Sequence, residues 1–175
     1  MLDLRIAEKD ELKPVLDFYY LLIDMMQGVE YTPAWQKGVY PSDEFLRGSL
    51  ERRQLVIGLS ERKIVAAMVL NHESAEGYDQ ALWNTDAGSE EVTVVHALGI
   101  LPSHQGRGFA GDMVMEAIRI AKTEGQKAIR LDVLSSNIPA RKLYQKMGFI
   151  HVGTVKLFYE DTGLTDFLLY EYVLW

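Results

Sequence analysis

Apolar residues recur along this chain in two rhythms, every second residue or every third and fourth, and the switches between them mark out the elements. Leu2, Leu4 and Ile6 alternate with polar neighbours, which predicts a short strand over Leu2–Ile6. Leu12, Val15, Leu16, Tyr19, Leu22, Ile23 and Met26 then follow helical spacing, with Pro14 near the helix start, where its missing N–H costs least. Gln27–Pro41 mixes glycine, proline and aromatic residues and predicts an irregular loop. Ser42 can cap a second helix, with Asp43 and Glu44 in its electropositive first turn. Leu55–Leu59 and Ile64–Leu70 are two strands joined by a short polar link, which predicts a hairpin. Residues 74–90 are polar and predict a loop with a helical turn.

In the second half, Val92–Leu101 is a long, largely apolar strand stopped by Pro102. Ala110, Met113, Val114, Ala117, Ile118 and Ala121 share one helical face, and Gly125 ends that helix. Ile129–Leu134 predicts another strand, and Asn137 caps a helix running through Met147 to Gly148. Two closing strands, around Phe149–Tyr159 and Phe167–Leu174, flank a turn at Asp161–Gly163. Antiparallel hairpins at both ends thus surround a β-α-β-α centre, which makes an α/β sandwich with a mixed sheet. No internal repeat or low-complexity linker divides the 175 residues, so residues 1–175 are expected to form a single domain.

Charge and composition then narrow the function. The 18 Lys and Arg against 25 Asp and Glu leave a net charge of −7, which argues against nucleic acid as a partner and mildly favours a cationic one. There is no cysteine, which removes disulfides, thiolate metal sites and cysteine nucleophiles and suits a cytoplasmic location. The start of the chain carries no signal-peptide pattern, and no apolar run approaches the roughly 20 residues of a membrane span. Four scattered histidines form no metal-ligand pattern, so no metal is expected. The apolar closing strands offer an edge on which a homodimer can form.

The segment Leu98–Gly111 carries the strongest local signal. A strand runs into a turn with Gly106, Gly108 and Gly111, and a helix begins at once. Free amides and the dipole at a helix start make an anion site, and glycines let backbone approach phosphates closely. Gly108 to Gly111 and the glycine at 106 also satisfy GxGxxG, with Asp132 at about the distance of a ribose-binding acid. Against a dinucleotide fold, Pro102 to Gln105 intervene between strand and glycines, and antiparallel strands follow. No GxxxxGK[ST] sequence is present.

Gln105-Gly106-Arg107-Gly108-Phe109-Ala110 resembles the [QR]-x-x-G-x-[GA] signature of the GNAT acetyltransferase superfamily. Downstream, Asn137 to Phe149 (NIPARKLYQKMGF) is similar to that family's N-x-x-A-x-x-L-Y-x-K-x-G-F segment. The resemblance covers roughly residues 91–150. It implies a three-layer α/β sandwich whose mixed, mostly antiparallel sheet is splayed between two parallel strands, with acetyl-CoA bound in the splay and no metal. It further implies that the amides from Gln105 to Gly111 hold the pyrophosphate and that the strand edge at Leu98, Gly99 and Ile100 holds the pantetheine arm. Asn137 would touch that arm, although it is equally a helix cap.

Tyr144 matches the tyrosine that protonates the leaving thiolate, while its helical stripe with Ala140, Leu143 and Met147 fits a core role as well. His96 interrupts an apolar strand and is the first candidate for the base, sharing by alternation a face with Val94, Leu98 and Ile100. Where many relatives carry Glu, this chain has Val94; Glu91, His72 and Glu73 are weaker alternatives. His104 is expected at the surface, and Arg141 and Lys142 on a solvated helix face. Tyr31, Trp35 and Tyr40 either wall the acceptor site or wedge the first two helices together. The implied reaction is direct acetyl transfer to a primary amine, either a small molecule or a peptide N-terminus or lysine. A non-catalytic acyl-CoA-binding domain is the competing reading.

Overall fold

A computed structural model describes residues 1–174. Seven strands and four main helices alternate along the chain: β1 (Asp3–Ile6), α1 (Leu12–Met25), α2 (Asp43–Glu51), β2 (Leu55–Ser60), β3 (Lys63–Asn71), β4 (Val92–Ile100), α3 (Phe109–Thr123), β5 (Ala128–Leu134), α4 (Ile138–Lys146), β6 (Ile150–Tyr159) and β7 (Gly163–Val173). The Ser42 hydroxyl accepts the Phe45 N–H at 3.1 Å and starts α2, as expected. The polar link at 60–63 is a tight hairpin in which Glu61 and Arg62 both adopt left-handed backbone, at φ 50° and 65°. β7 begins at Gly163, four residues earlier than apolar content alone indicates, because pairing with β6 carries the ladder to the turn.

The strands form one sheet in the order β1-β2-β3-β4-β5-β7-β6. β6 folds back into β7, and β7 takes the place beside β5, which leaves β6 at the edge. Only β4 and β5 run parallel; every other neighbour is antiparallel. Tyr19 of α1, Leu46 of α2 and Met113 and Ala117 of α3 are fully or almost fully buried in one core with Ile57, Met68 and Ile129. A smaller cluster of Tyr78, Val92, Val94, Leu157, Phe167 and Leu169 lies under the 74–91 loop.

That loop is pinned by charge. Glu171 has no exposed surface; one of its oxygens accepts the N–H groups of Asn84 and Thr85, and the other meets Arg130 at 2.8 Å. The Arg130 guanidinium in turn lies 4.4 Å from the Trp83 ring centre. Among the described residues, no helix is long and apolar enough to cross a membrane.

Candidate active site

The site begins where the sheet fails to close. β4 and β5 pair only at Val92–Ala128, Thr93–Ile129 and Val94–Arg130, and then part. Just beyond, β4 carries an extra residue relative to β3: Ala67 opposes Gly99 but Val69 opposes His96. Ala97 absorbs this bulge with a left-handed φ of 52°, rare for a residue with a Cβ. The buried Tyr19 hydroxyl of α1 donates to the Ala97 carbonyl at 2.8 Å, satisfying the oxygen that the bulge turns away from the ladder. The bulge also corrects the simple alternation of β4. His96 shares a face with Gly99, whereas Leu98 and Ile100 fall out of its phase.

Past the bulge, β4 runs into the glycine turn. Gly106 and Gly108 have φ of 77° and 81°, and a Cβ built on either would meet nothing within 4 Å. Their conformation, not crowding, demands glycine. Among the described residues, no backbone acceptor pairs with the N–H groups from Gly106 to Gly111. Six successive donors at the start of a fifteen-residue helix therefore face outward. Gln105 braces the turn by donating from Nε2 to the Ile100 carbonyl at 3.3 Å. A cleft of about 450 Å³ lies alongside, lined by Leu98, Gly99, Ile100, Gln105, Gly106, Gly108, Phe109, Ala110, Gly111 and Asn137. Arg107 is exposed and outside this lining. His104, expected at the surface, instead lines the cleft and stacks on Phe109.

A second, smaller cavity of about 90 Å³ opens on the other side of the gap. His96 of β4 and Asp132 of β5, each two residues past the last paired position, face it from the two parted strands. Trp35 and Tyr40 of the 27–41 loop and Tyr159, Asp161 and Phe167 of the closing hairpin complete its wall. Trp35 and Tyr40 line the cavity and also pack in a chain of rings from Tyr19 to Tyr159. Tyr31 lines the larger cleft instead.

Tyr144 and Asn137 line both cavities, as do Pro33, Trp35, Leu98 and Ala140. The Tyr144 ring packs on Phe149 and Tyr170, with centroids 5.4 and 6.3 Å away. Burial, and then the nearby Asp132 charge, push its phenol well above the ordinary value, so it stays protonated. Asn137 does cap α4, its Oδ1 accepting from the Ala140 N–H at 3.4 Å.

The electrostatics of the smaller cavity separate its two strand residues. Burial pushes the His96 imidazole down to about 4, against a smaller upward pull from the Glu73 backbone. Its Nε2 sits 2.7 Å from Asn71 Oδ1, which already accepts the Glu73 N–H at 2.9 Å. Nε2 therefore carries the hydrogen, and the ring is neutral at pH 7. The Asp132 Oδ2 accepts hydrogen bonds from Tyr78 and Tyr159 at 2.6 and 2.8 Å. Burial raises the Asp132 carboxyl despite those two donors. Asp161 is likewise raised by burial, and its buried Oδ1 has no partner.

Asp132 therefore lines the smaller cavity and not the cleft beside the glycine turn, which removes the ribose role of a dinucleotide fold. The criterion that singled out His96, a polar residue interrupting an apolar strand, applies equally to Asp132 in the run Ile129–Leu134. Asp161 had no such signal, since an acid in a turn is ordinary. Glu91, His72 and Glu73 line neither cavity. Glu91 pairs with Lys127, and His72 Nδ1 lies 2.8 Å from the Val92 carbonyl. Arg141 donates to the Ser135 carbonyl, and Lys142 is exposed.

A parallel pair of strands thus parts at a bulge, with free amides on one side of the gap and a carboxylate-lined cavity on the other. The chain belongs to the acetyltransferase (GNAT) family, which it matches over residues 20–149. It is 29% identical over 152 residues to a provisionally named phosphinothricin acetyltransferase of Bacillus subtilis, covering 86% of this chain and 85% of that protein. It is 34% identical over 71 residues to mycothiol acetyltransferase of Acidothermus cellulolyticus, a stretch that is 41% of this chain but only 22% of that relative. Among solved structures, a GNAT-family acetyltransferase of Streptococcus agalactiae superposes with a TM-score of 0.78 at 16% identity, covering 99% of this chain and 96% of the other. An acetyltransferase of Salmonella typhimurium, solved with its cofactor acetyl-CoA, gives 0.71 at 14% identity, covering 99% and 94%. At those identities the likeness is one of fold.

Proposed function

We propose that this protein transfers an acetyl group from acetyl-CoA to a primary amine by direct attack, with both substrates bound at once. The residues present suit the cosubstrate. Six unpartnered amides at a helix start suit a pyrophosphate, and the parted edge of β4 offers unpaired backbone groups to an amide-bearing arm. Gly106, Gly108 and their neighbours to Gly111, with Gln105 and Arg107, would hold the phosphates; Leu98, Gly99, Ile100 and Asn137 would hold the arm. When bound, acetyl-CoA supplies an activated acyl carbon and a thiolate leaving group.

The observation that carries the reading is the position of Tyr144. It lines both the cleft and the smaller cavity, with a phenol that remains protonated and, among the described residues, has no hydrogen-bond partner competing for it. It is the proton donor to the leaving sulfur. Asn137, which also lines both, orients the arm. His96 walls the acceptor side as a neutral imidazole and is one of two groups able to take a proton from the amine, Asp132 being the other.

The test begins with thermal unfolding in the presence of acetyl-CoA, CoA and NAD(H) separately. A ligand of the folded state at 100 times its Kd adds about 2.7 kcal/mol. Stabilisation by acetyl-CoA and CoA, followed by amine-dependent thiol release, is expected. Stabilisation by NAD(H) alone would overturn the proposal, and acetyl-CoA binding without any turnover would favour an acyl-CoA-binding role.

A further inference from the structure

The smaller cavity has a chemical character that acetyl transfer in general does not require. Its lining carries two carboxylates and, among the described residues, no Lys or Arg. The carboxylates are presented differently. Both tyrosine hydroxyls that reach Asp132 end on Oδ2, and neither bonds Oδ1. Asp161 contributes an Oδ1 that is buried and has no hydrogen-bond partner. A buried, unmade acceptor is costly, more so when charged, so a group that donates to it relieves that cost. The rings of Trp35, Tyr40 and Tyr159 share the lining with the two acids, and ring faces attract cations. Size sets a further limit. Its space of about 90 Å³, against about 450 Å³ in the larger cleft, favours a compact group.

Resting on the acetyl-transfer reading, we infer that the acceptor is a compact cationic amine, one nitrogen received at Asp132 beside Tyr144 and a second positive or N–H-donating group at Asp161. Acceptors bearing a carboxylate or phosphinate are rejected, because such a group would enter beside two acids with no cation to meet it. This separates the chain from its relative named for phosphinothricin, an amino acid with two acidic groups. The incoming ammonium gives one proton to the Asp132 carboxylate, from which it passes to solvent. The freed nitrogen lone pair forms the N–C bond, the C–S bond breaks, and the thiolate takes the Tyr144 proton. The second nitrogen proton returns to Tyr144, so the phenol is restored and one proton is released per turnover.

The experiment compares three probes of matched length: propane-1,3-diamine, propylamine and β-alanine, with phosphinothricin as a fourth. Acetyl-CoA affinity is first measured by calorimetry on the same protein. Failure to bind acetyl-CoA would sink the acetyl-transfer reading itself. With acetyl-CoA bound, kcat/KM is expected to fall by about tenfold or more from the diamine to propylamine, and further to β-alanine and phosphinothricin. The conservative variant Asp161→Asn is expected to lower the diamine value about tenfold and to bring its ratio to propylamine toward one, with acetyl-CoA affinity retained. Asp132→Asn, whose amide oxygen can still accept from Tyr78 and Tyr159, is expected to abolish turnover of every amine. Turnover of β-alanine or phosphinothricin equal to that of the diamine overturns the inference. So does a diamine preference that survives Asp161→Asn in a folded variant, or acetyl-CoA binding with no diamine turnover.

Discussion

The two cavities that meet at Tyr144 are built in opposite ways. The larger cleft is organised around one continuous segment, Leu98–Gly111, whose strand end and free amides it exposes, with apolar side chains of α1, the 27–41 loop and α4 completing the wall. The smaller cavity is made of side chains from the 27–41 loop, β4, β5 and the closing hairpin, which lie up to 134 residues apart (Pro33 to Phe167). A backbone site needs particular conformations, and those are imposed by a short local pattern of glycines. A side-chain site needs particular chemistry at positions that only the fold brings together.

Substitutions should separate the two halves, beginning at their junction. Tyr144→Phe is expected to lower kcat on the order of 10³-fold, within the range of a lost general acid, while acetyl-CoA affinity measured by calorimetry stays nearly the same. Equal activity in the variant would remove Tyr144 from the chemistry and weaken the idea that the two cavities share one reaction.

The acceptor side alone should respond to acid. His96 is held near 4 in the folded protein against about 6.5 in the unfolded chain, so below pH 6.5 the unfolded state binds the extra proton. Stability is therefore expected to fall between pH 6.5 and 4, by about 3 kcal/mol from this residue. His96→Gln should flatten that part of the denaturation profile. An unaltered profile would show that His96 is not the buried neutral imidazole described above.

On the wall of the larger cleft, a Cβ at Gly99 would collide with Leu22 Cδ2 of α1. Gly99→Ala is expected to destabilise by about 2 kcal/mol through overpacking, and trimming Leu22 to Ala in the same chain should relieve part of the strain. Non-coupled, additive losses in the double-mutant cycle would refute the contact. The smallest effect belongs to the turn. Gly108→Ala, at φ 81°, should cost about 1 kcal/mol of stability and weaken CoA binding, with the amine KM unaffected. A change confined to the amine KM would invert the comparison.

The glycine turn and the strand that feeds it were legible in the sequence because their determinants are local. Gln105, Gly106, Gly108 and the helix after them follow one another directly, and NIPARKLYQKMGF supplied Asn137 and Tyr144 in a single stretch. His96 was legible as a polar break in an apolar strand, but its environment was not. The Asn71 bond and the burial that lowers its basicity come from β3 and from packing against Phe45 of α2. The bulge at Ala97 left no local mark, since alanine suits an unbroken strand, and it shifted the predicted facing of Leu98 and Ile100.

Asp132 and Asp161 show where local reading stops. An acid in a β-strand and an acid in a turn look unrelated until β7 returns beside β5 and carries the Asp161 turn to the mouth of the gap.

By itself, the sequence determined the elements, their order and the glycine turn, because hydrophobic period, capping residues and left-handed glycines act over a few neighbouring residues. Only the tertiary structure decided where β4 and β5 part, which residues face the gap and what charge lines the acceptor cavity. Those depend on strand register and on the burial of groups brought together from distant parts of the chain, and burial and register are properties of the assembled sheet.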